Sequence, residues 1–419
     1  SSDVCSSDLK IIIVDANGNW TVSSDQQWCT LIPKSGGNGQ TVVRVSATKN
    51  SVDEERVAVL TFVSGEKSHK YNIKQEAGEL IVSWNINPHI SDFSFEGETR
   101  RIKVNSNAEW KATVDQPWIT INPDKGGKGV TIVEITATSN PGVKNRIAEM
   151  SFVSGRFSKT HFINQEADKV EDYIPEGYSM VWNEEFNAGR VSGGKPALPN
   201  TEKWWYETAE PGWVNNELQT YIGGFIDTDT VAVIHDGTLK IKAIPVGDRV
   251  YSARLNTKES WAYGYFEARL RVPGGNGTWP AFWMMPKNFT AWPLDGEIDI
   301  MEYVGFDPNV VHASVHTQAY YHTIGTQKTA TKEIENAEIE FHVYAVEWTP
   351  EYIKGFVDGV EYFKFENDGK GNKHTWPFNA PFYLKLNLAW GGDWGATQGL
   401  DETALPAIYE IDYVRVYKK

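Results

Sequence analysis

Short runs in which apolar and polar residues alternate recur along the whole chain, separated by clusters of Gly, Pro, Asn and Ser. Residues 41–47 and 57–63 are two such runs near the start; 265–272, 382–388 and 408–417 lie further on. A period of two sends successive side chains to opposite faces of a strand. In 265–272 it puts Phe266, Ala268, Leu270 and Val272 on one face and Tyr265, Glu267, Arg269 and Arg271 on the other. Asp358-Gly359, set between Phe356-Val357 and Val360-Glu361, is a two-residue hairpin signal, because both residues tolerate the positive φ of a type I′ turn. No helical period of useful length is visible. The pattern predicts an all-β chain: β-sandwich modules of immunoglobulin-like size first, then a β-jelly-roll sandwich over residues 180–419.

The first part repeats itself at an offset of 90 residues. Trp20 and Trp28 align with Trp110 and Trp118, and Pro33-Lys34-Ser35-Gly36-Gly37-Asn38-Gly39 with Pro123-Asp124-Lys125-Gly126-Gly127-Lys128-Gly129. Residues 20–77 set against 110–167 share 25 identities in 58 positions without a gap. That is a duplicated module, and two copies suit tandem sandwiches better than a solenoid. The copies are expected at 10–78 and 79–168, with the opening strand at 79–84 in the second and no counterpart in the first. Its absence predicts a poorly paired sheet edge there. Residues 1–9, Ser-Ser-Asp-Val-Cys-Ser-Ser-Asp-Leu, read like a sequencing adapter translated in frame. The expectation is that they replaced the native start together with any signal peptide or lipid-anchor cysteine. Residues 169–179 carry acids, Pro175 and Gly177 and are expected to be a linker.

The two copies resemble BACON domains, common in surface polysaccharide-degrading systems, through the paired Trp, the Gly-rich loop and the closing Gln-Glu-Ala. Their Trp pairs lie inside alternating runs, which favours core packing over sugar platforms and a spacer role for the modules.

Composition narrows the function. Formal charge is −15, which disfavours nucleic acid, anionic lipid and sulfated polysaccharide as partners and leaves neutral or cationic ones. Two cysteines, Cys5 and Cys29, leave no disulfide scaffold and no Cys-based zinc site. Of 17 Trp, 12 fall after residue 180. Flat indole faces suit the C–H faces of sugar rings, so this enrichment points to a sugar-binding cleft.

The chemistry is concentrated in Asp295-Gly296-Glu297-Ile298-Asp299-Ile300-Met301-Glu302. Glu297 and Asp299 share a strand face; Glu302 joins them only if one extra residue near Ile300–Met301 makes a β-bulge. Two glutamates leaning together across that segment would come to about 5 Å, the separation of a double-displacement glycosidase. Glu297 is then the nucleophile, Glu302 the acid/base, and Asp299 the residue that hydrogen-bonds the nucleophile and keeps Glu302 protonated. Solvent-face acids or calcium ligands are the other readings. Like charges stacked on one face are costly, and no Lys or Arg occurs between Lys287 and Lys328.

Glu297-Ile298-Asp299-Ile300-Met301-Glu302 is similar to the signature of glycoside hydrolase family 16 in its laminarinase form. Val181-Trp182-Asn183-Glu184-Glu185-Phe186, Asn215-Asn216-Glu217-Leu218-Gln219, Tyr263-Gly264-Tyr265-Phe266-Glu267-Ala268-Arg269, Gly277-Thr278-Trp279-Pro280-Ala281-Phe282-Trp283-Met284 and Ile411-Asp412-Tyr413-Val414-Arg415-Val416-Tyr417 carry the resemblance across 178–419. It implies a jelly roll with a glucan cleft and retaining endo-hydrolysis of β-1,3- or mixed β-1,3/1,4-glucan. It also implies that Trp279 and Trp283 shape the glycone side, that Asn215 and Arg254 hydrogen-bond sugar hydroxyls there, and that His316 lies near the acid/base. Trp390 departs from the family, where a smaller aliphatic is usual, and is expected to narrow the cleft or stack on an extra glucose. His312 and His316 are expected to mark one sheet face, not a metal pair. No cofactor is expected for catalysis; the resemblance implies a structural calcium held by Glu184, the Gly237 carbonyl and Asp412. The expected protein is an extracellular or surface-tethered monomer acting on neutral β-glucan. The alternatives are a non-enzymatic glucan-binding protein and the same mechanism on agar-type galactans.

Overall fold

The computed structural model describes residues 2–4, 10–50, 54–76, 82–142, 145–167, 173–187, 197–226, 229–235 and 237–419. Two compact units emerge, one of Ser1–Ser91, Glu98–Thr138 and Ala148–Ile163, the other of Asp92–Gly97, Ser139–Ile147 and Asn164–Lys419. The second repeat, expected as one domain over 79–168, thus contributes segments to both.

Each repeat is a pair of sheets, as the alternation predicts. In the second, a four-stranded sheet runs Ile119–Asn122, Gly129–Ala137, Thr99–Ser106, Trp84–Asn87. The first has the matching three, Cys29–Ile32, Gly39–Ala47 and Lys10–Ala16, and nothing beyond Lys10–Ala16 in that sheet among the described residues. Ile11 and Ile13 on that edge strand are 60% and 63% exposed. The opening strand of the second repeat is Trp84–Asn87, paired to Lys103–Ser106, so it starts later than the expected 79–84; residues 79–81 lie outside the described ones. Of the segment 1–9, only Ser2–Val4 is described, as a strand parallel to Lys67–Gln75.

The Trp pairs pack as expected. Trp20 and Trp110 are 3% and 4% exposed, and Trp28 is half-buried under the Arg56 guanidinium, 4.4 Å from its ring. Gly36 and Gly126 lie against the faces of Trp20 and Trp110, where any Cβ would collide with the ring. The Gly-rich loop therefore serves the indole beneath it.

Residues 169–172 of the expected linker lie outside the described ones. The rest of that segment is docked: Ile174 and Tyr178 pack on Tyr265, Ala345, Phe356 and Tyr417, and the Tyr178 hydroxyl donates to Glu347 at 2.9 Å. Two aromatic side chains and an isoleucine within a few residues give it enough apolar surface to dock on the sheet.

The remaining unit is a sandwich of a ten-stranded and a seven-stranded sheet. Among the described residues helix is confined to Gly392–Gly395 and two 3-10 turns, and no helix is long and apolar enough to cross a membrane. Asp358 and Gly359 take φ of 46° and 73° at the predicted hairpin. Gly264–Arg271 lies in the ten-stranded sheet with Phe266, Ala268 and Leu270 in the core. Its other face is buried as well, because Arg269 pairs with Asp412 at 2.7 Å and Arg271 with Glu410 at 2.8 Å.

The seven-stranded sheet carries the acidic motif. Its strands are β1 (Trp204–Tyr206), β2 (Arg254–Thr257), β3 (Thr278–Pro286), β4 (Glu297–Tyr303), β5 (Val310–His316), β6 (Lys328–Glu333) and β7 (Phe382–Trp390), in the order β1-β2-β7-β3-β4-β5-β6. Leu255, Phe282, Met284, Ile298, Val311, Val315, Leu384, Leu386 and Leu388 face the core. The alternate residues form the opposite face.

Candidate active site

The bulge falls where the sequence predicts it. Along β3, Trp283 pairs with Asp299 and the next residue, Phe282, with Met301, so Ile300 is the extra residue. Along β5, Ser314 pairs with Asp299 and His312 with Glu302. Ile298, Ile300, Met301 and Tyr303 all go into the core, which leaves Glu297, Asp299 and Glu302 together on the opposite face. Apolar side chains on both sides of the bulge pin this register, since a one-residue slip would drive a glutamate inward.

The three carboxyls share few donors. Trp292 Nε1 donates to Glu297 at 3.0 Å and Trp279 Nε1 to Glu302 at 3.2 Å. His316 Nε2 lies 3.3 Å from Asp299 Oδ2 and 4.0 Å from Glu297 Oε1. Burial pushes all three carboxyls above the usual carboxylate range, and the Asp299 charge pushes both glutamates further. His316 and the two indole N–H groups oppose this for Glu297 and Glu302 without reversing it. Carboxyls so placed hold protons that solvent-exposed ones would have lost, and the three titrate as a group, not singly.

Aromatic rings close around the acids. Trp292 packs on His316, Tyr321 and His322, with ring centroids 5.1 to 5.9 Å away. Trp394, in the turn Gly392–Gly395, stands edge-on to Trp279 at 5.5 Å and to His312 at 4.8 Å. On the other side of Trp279, along β3, the Trp283 Nε1 donates to Asn387 at 2.7 Å.

Comparison with known proteins agrees with this geometry. Residues 225–415 match the model of glycosyl hydrolases family 16, and residues 18–76 and 108–166 match BACON, described as a putative binding domain. A Rhodothermus marinus protein named "Beta-glucanase" is 48% identical over 254 residues, covering 58% of this chain and 85% of that one. The chain belongs to glycosyl hydrolase family 16. Among solved structures, the R. marinus laminarinase is 44% identical with a TM-score of 0.53, covering 57% of this chain and 97% of that one. SCLam, described as a non-specific endo-β-1,3(4)-glucanase, is 42% identical with a TM-score of 0.54, covering 59% and 93%.

Within this family 16 hydrolase the other predicted residues fall into three groups. Trp279, Trp283 and His316 lie on the site face as expected, and His312 shares that face opposite Glu302. Asn215 is exposed, with its carbonyl accepting from Asp393 N–H at 2.7 Å. Arg254 is on the correct face but only 4% exposed, held by Glu217 at 3.5 Å and Glu207 at 3.8 Å, beneath Trp283. So placed, it supports the indole and does not present its donors to a sugar.

Trp390 corrects the sequence reading. It pairs with Thr278 and so shares the inward row with Leu384, Leu386 and Leu388, while Ala389 faces Trp279. At 3% exposure, against Gly277, it can neither narrow a cleft nor stack on glucose. Trp390→Ala is expected to cost about 3–5 kcal/mol in stability and to leave KM for the substrate little changed. Urea unfolding beside steady-state kinetics checks this.

The expected calcium ligands sit among cations. Lys203 is 3.7 Å from Glu184, and Arg269 holds Asp412 at 2.7 Å. Gly237 offers a carbonyl at φ 75°, and its neighbour Asp236 lies outside the described residues. With both carboxylates already charge-paired, this donor set does not suit a hard dication. Calcium stays an expectation of the resemblance, and no catalytic step passes through it.

Sequence reasoning missed several residues of the site. Trp292 and Trp394 belong to the Trp excess, but no strand period places them. Asp295 was read only as part of the motif, yet it ties the loop bearing Trp292. It accepts from Thr290 N–H at 2.6 Å, Ala291 N–H at 2.9 Å and Lys373 at 2.6 Å. Although burial works against it, these donors hold its carboxyl well below the ordinary range. Asp295→Ala should loosen Trp292 over Glu297 and lower kcat/KM by about ten- to hundredfold, measured on a soluble β-glucan. Lys385, paired with Glu207 at 2.7 Å, also went unassigned; burial and Arg254 push it down to about 8.

Proposed function

We propose that this glycoside hydrolase is a retaining endo-hydrolase of β-1,3-glucan that also accepts mixed-linkage β-1,3/1,4-glucan. The observation that carries the reading is the bulge that sets Glu297, Asp299 and Glu302 on one indole-lined face. The names of its relatives, a β-glucanase and a laminarinase, support the substrate class.

The steps follow from the charges. Glu297 attacks the anomeric carbon while the glycosidic C–O bond breaks, and the Glu302 proton passes to the departing oxygen. Asp299, hydrogen-bonded to Glu297, keeps Glu302 protonated through its own charge, and Glu297 attacks once its proton has left the cluster. Water then enters; Glu302 takes its proton, the hydroxide oxygen bonds to the anomeric carbon, and the ester to Glu297 breaks. The proton on Glu302 is held well above the ordinary range. The rate is therefore expected to fall on the alkaline side as that proton is lost, and on the acid side as Glu297, itself raised by burial, takes one up. A kcat/KM profile against pH checks both limbs.

A polymeric neutral substrate fits the acidic chain and favours a secreted or surface-tethered monomer. The test is product analysis on laminarin, barley mixed-linkage glucan, lichenan and agarose, with NMR of the first-formed anomer. Oligosaccharides from the glucans with an initial β-anomer are expected. An initial α-anomer removes retention, cleavage of agarose alone removes the glucanase assignment, and binding without products leaves a glucan-binding protein.

A further inference from the structure

We propose that Glu297, Asp299 and His316 form a binding site for one zinc-like transition-metal dication, which blocks the reacting centre when filled. One ligand atom from each residue lies within 4.8 Å of the other two. Glu297 and His316 are directly paired across β4 and β5, and Asp299 stands two residues along on the same face. Tetrahedral zinc with Zn–O and Zn–N bonds near 2.0–2.1 Å needs ligand atoms about 3.3 Å apart. The His316 Nε2 to Asp299 Oδ2 distance is 3.3 Å, and the 4.0 Å to Glu297 Oε1 closes with a small side-chain rotation.

One unpartnered atom makes this more than a cluster of acids. Asp299 is 4% exposed, and its Oδ2, 3.3 Å from His316 Nε2, has no hydrogen-bond partner among the described residues. A dication would supply the charge that no Lys or Arg supplies between residues 287 and 328.

Chemistry sets the selectivity and the strength. One imidazole and two carboxylates suit zinc or copper, whereas calcium and magnesium prefer an all-oxygen set. His316 Nδ1 lacks the carboxylate or carbonyl that usually orients a metal-bound imidazole. Micromolar affinity follows, that of a reversible inhibitor and not of a resident cofactor. Three protein ligands leave one position open toward the side where substrate would lie.

The site does not depend on the glucanase reading; only its effect on turnover does. Zn2+ titration by calorimetry and Co2+ titration by visible absorption would be run on the whole chain and on His316→Ala, Asp299→Asn and His312→Ala. Circular dichroism would confirm that each variant is folded. One Zn2+ per chain at micromolar affinity is expected, at least tenfold weaker in His316→Ala and in Asp299→Asn and unchanged in His312→Ala. On laminarin, Zn2+ should raise apparent KM with kcat unchanged, and EDTA should reverse it. Binding as tight in His316→Ala and Asp299→Asn as in the wild type overturns the proposal, as does no binding below the millimolar range. Binding that depends on His316 without laminarin hydrolysis upholds the metal site and removes the glucanase.

Discussion

Glu297→Ser turns over laminarin roughly four to six orders of magnitude more slowly than the wild type, and an activated aryl glucoside does not rescue it. The serine hydroxyl is too short and too weak a nucleophile to span the gap left by the carboxylate. No other described carboxyl pairs with His316 and Trp292 as Glu297 does. Asp299 is nearest, but it is two residues along β4 and almost fully buried. A leaving group that departs without protonation relieves the need for Glu302 and not the need for Glu297, so the failure of rescue identifies the nucleophile. Full activity of the serine variant on either substrate would remove the assignment.

The period of two made most of this site legible. It put Glu297 and Asp299 on one face, and the demand that Glu302 join them located the bulge within a residue of Ile300. The same period, carried two residues past Leu388, places Trp390 in the inward row, and only the resemblance put it in the cleft. Arg254 shows a different limit. Its face was right, but its burial comes from Glu207, Glu217 and Trp283, which reach it from three other segments. Trp292 and Trp394 come from a loop and a single helical turn, where side-chain direction follows no period. Half of the twelve Trp after residue 180 are core: Trp182, Trp204, Trp261, Trp348, Trp376 and Trp390 are each under 10% exposed. Abundance alone did not separate them from the indoles at the acids.

Repulsion among the acids is both the source of reactivity and a cost to the fold. Elsewhere the protein pairs its buried cations: Arg271 has Glu410 and Lys385 has Glu207. At β4 the nearest titratable counter-charge is a single histidine. A core built only for stability would place an amide or an apolar residue at one of these positions.

Glu302→Gln should therefore be nearly inactive and more stable. Losing the proton donor removes roughly 10²- to 10⁴-fold in kcat on laminarin. An aryl or fluoride donor restores the first step, because its leaving group needs no proton, and added azide should intercept the glycosyl-enzyme. Stability moves the other way. Burial and the neighbouring carboxyls raise the folded-state pKa of Glu302. Its contribution is therefore fully present below the unfolded pKa, near 4.3, and is lost as pH rises through the folded value. An amide carries no charge to desolvate, so the variant gains on the wild type as pH rises above about 4.3. Each 1 kcal/mol gained lifts Tm by about 2–4 °C in a domain of this size. Calorimetry at pH 4 and pH 8 should find the two proteins close at the lower pH and the variant higher-melting at the upper one. A variant that melts no higher at pH 8 would mean that Glu302 is not held against its own charge, and its role as proton donor at neutral pH would fail with it.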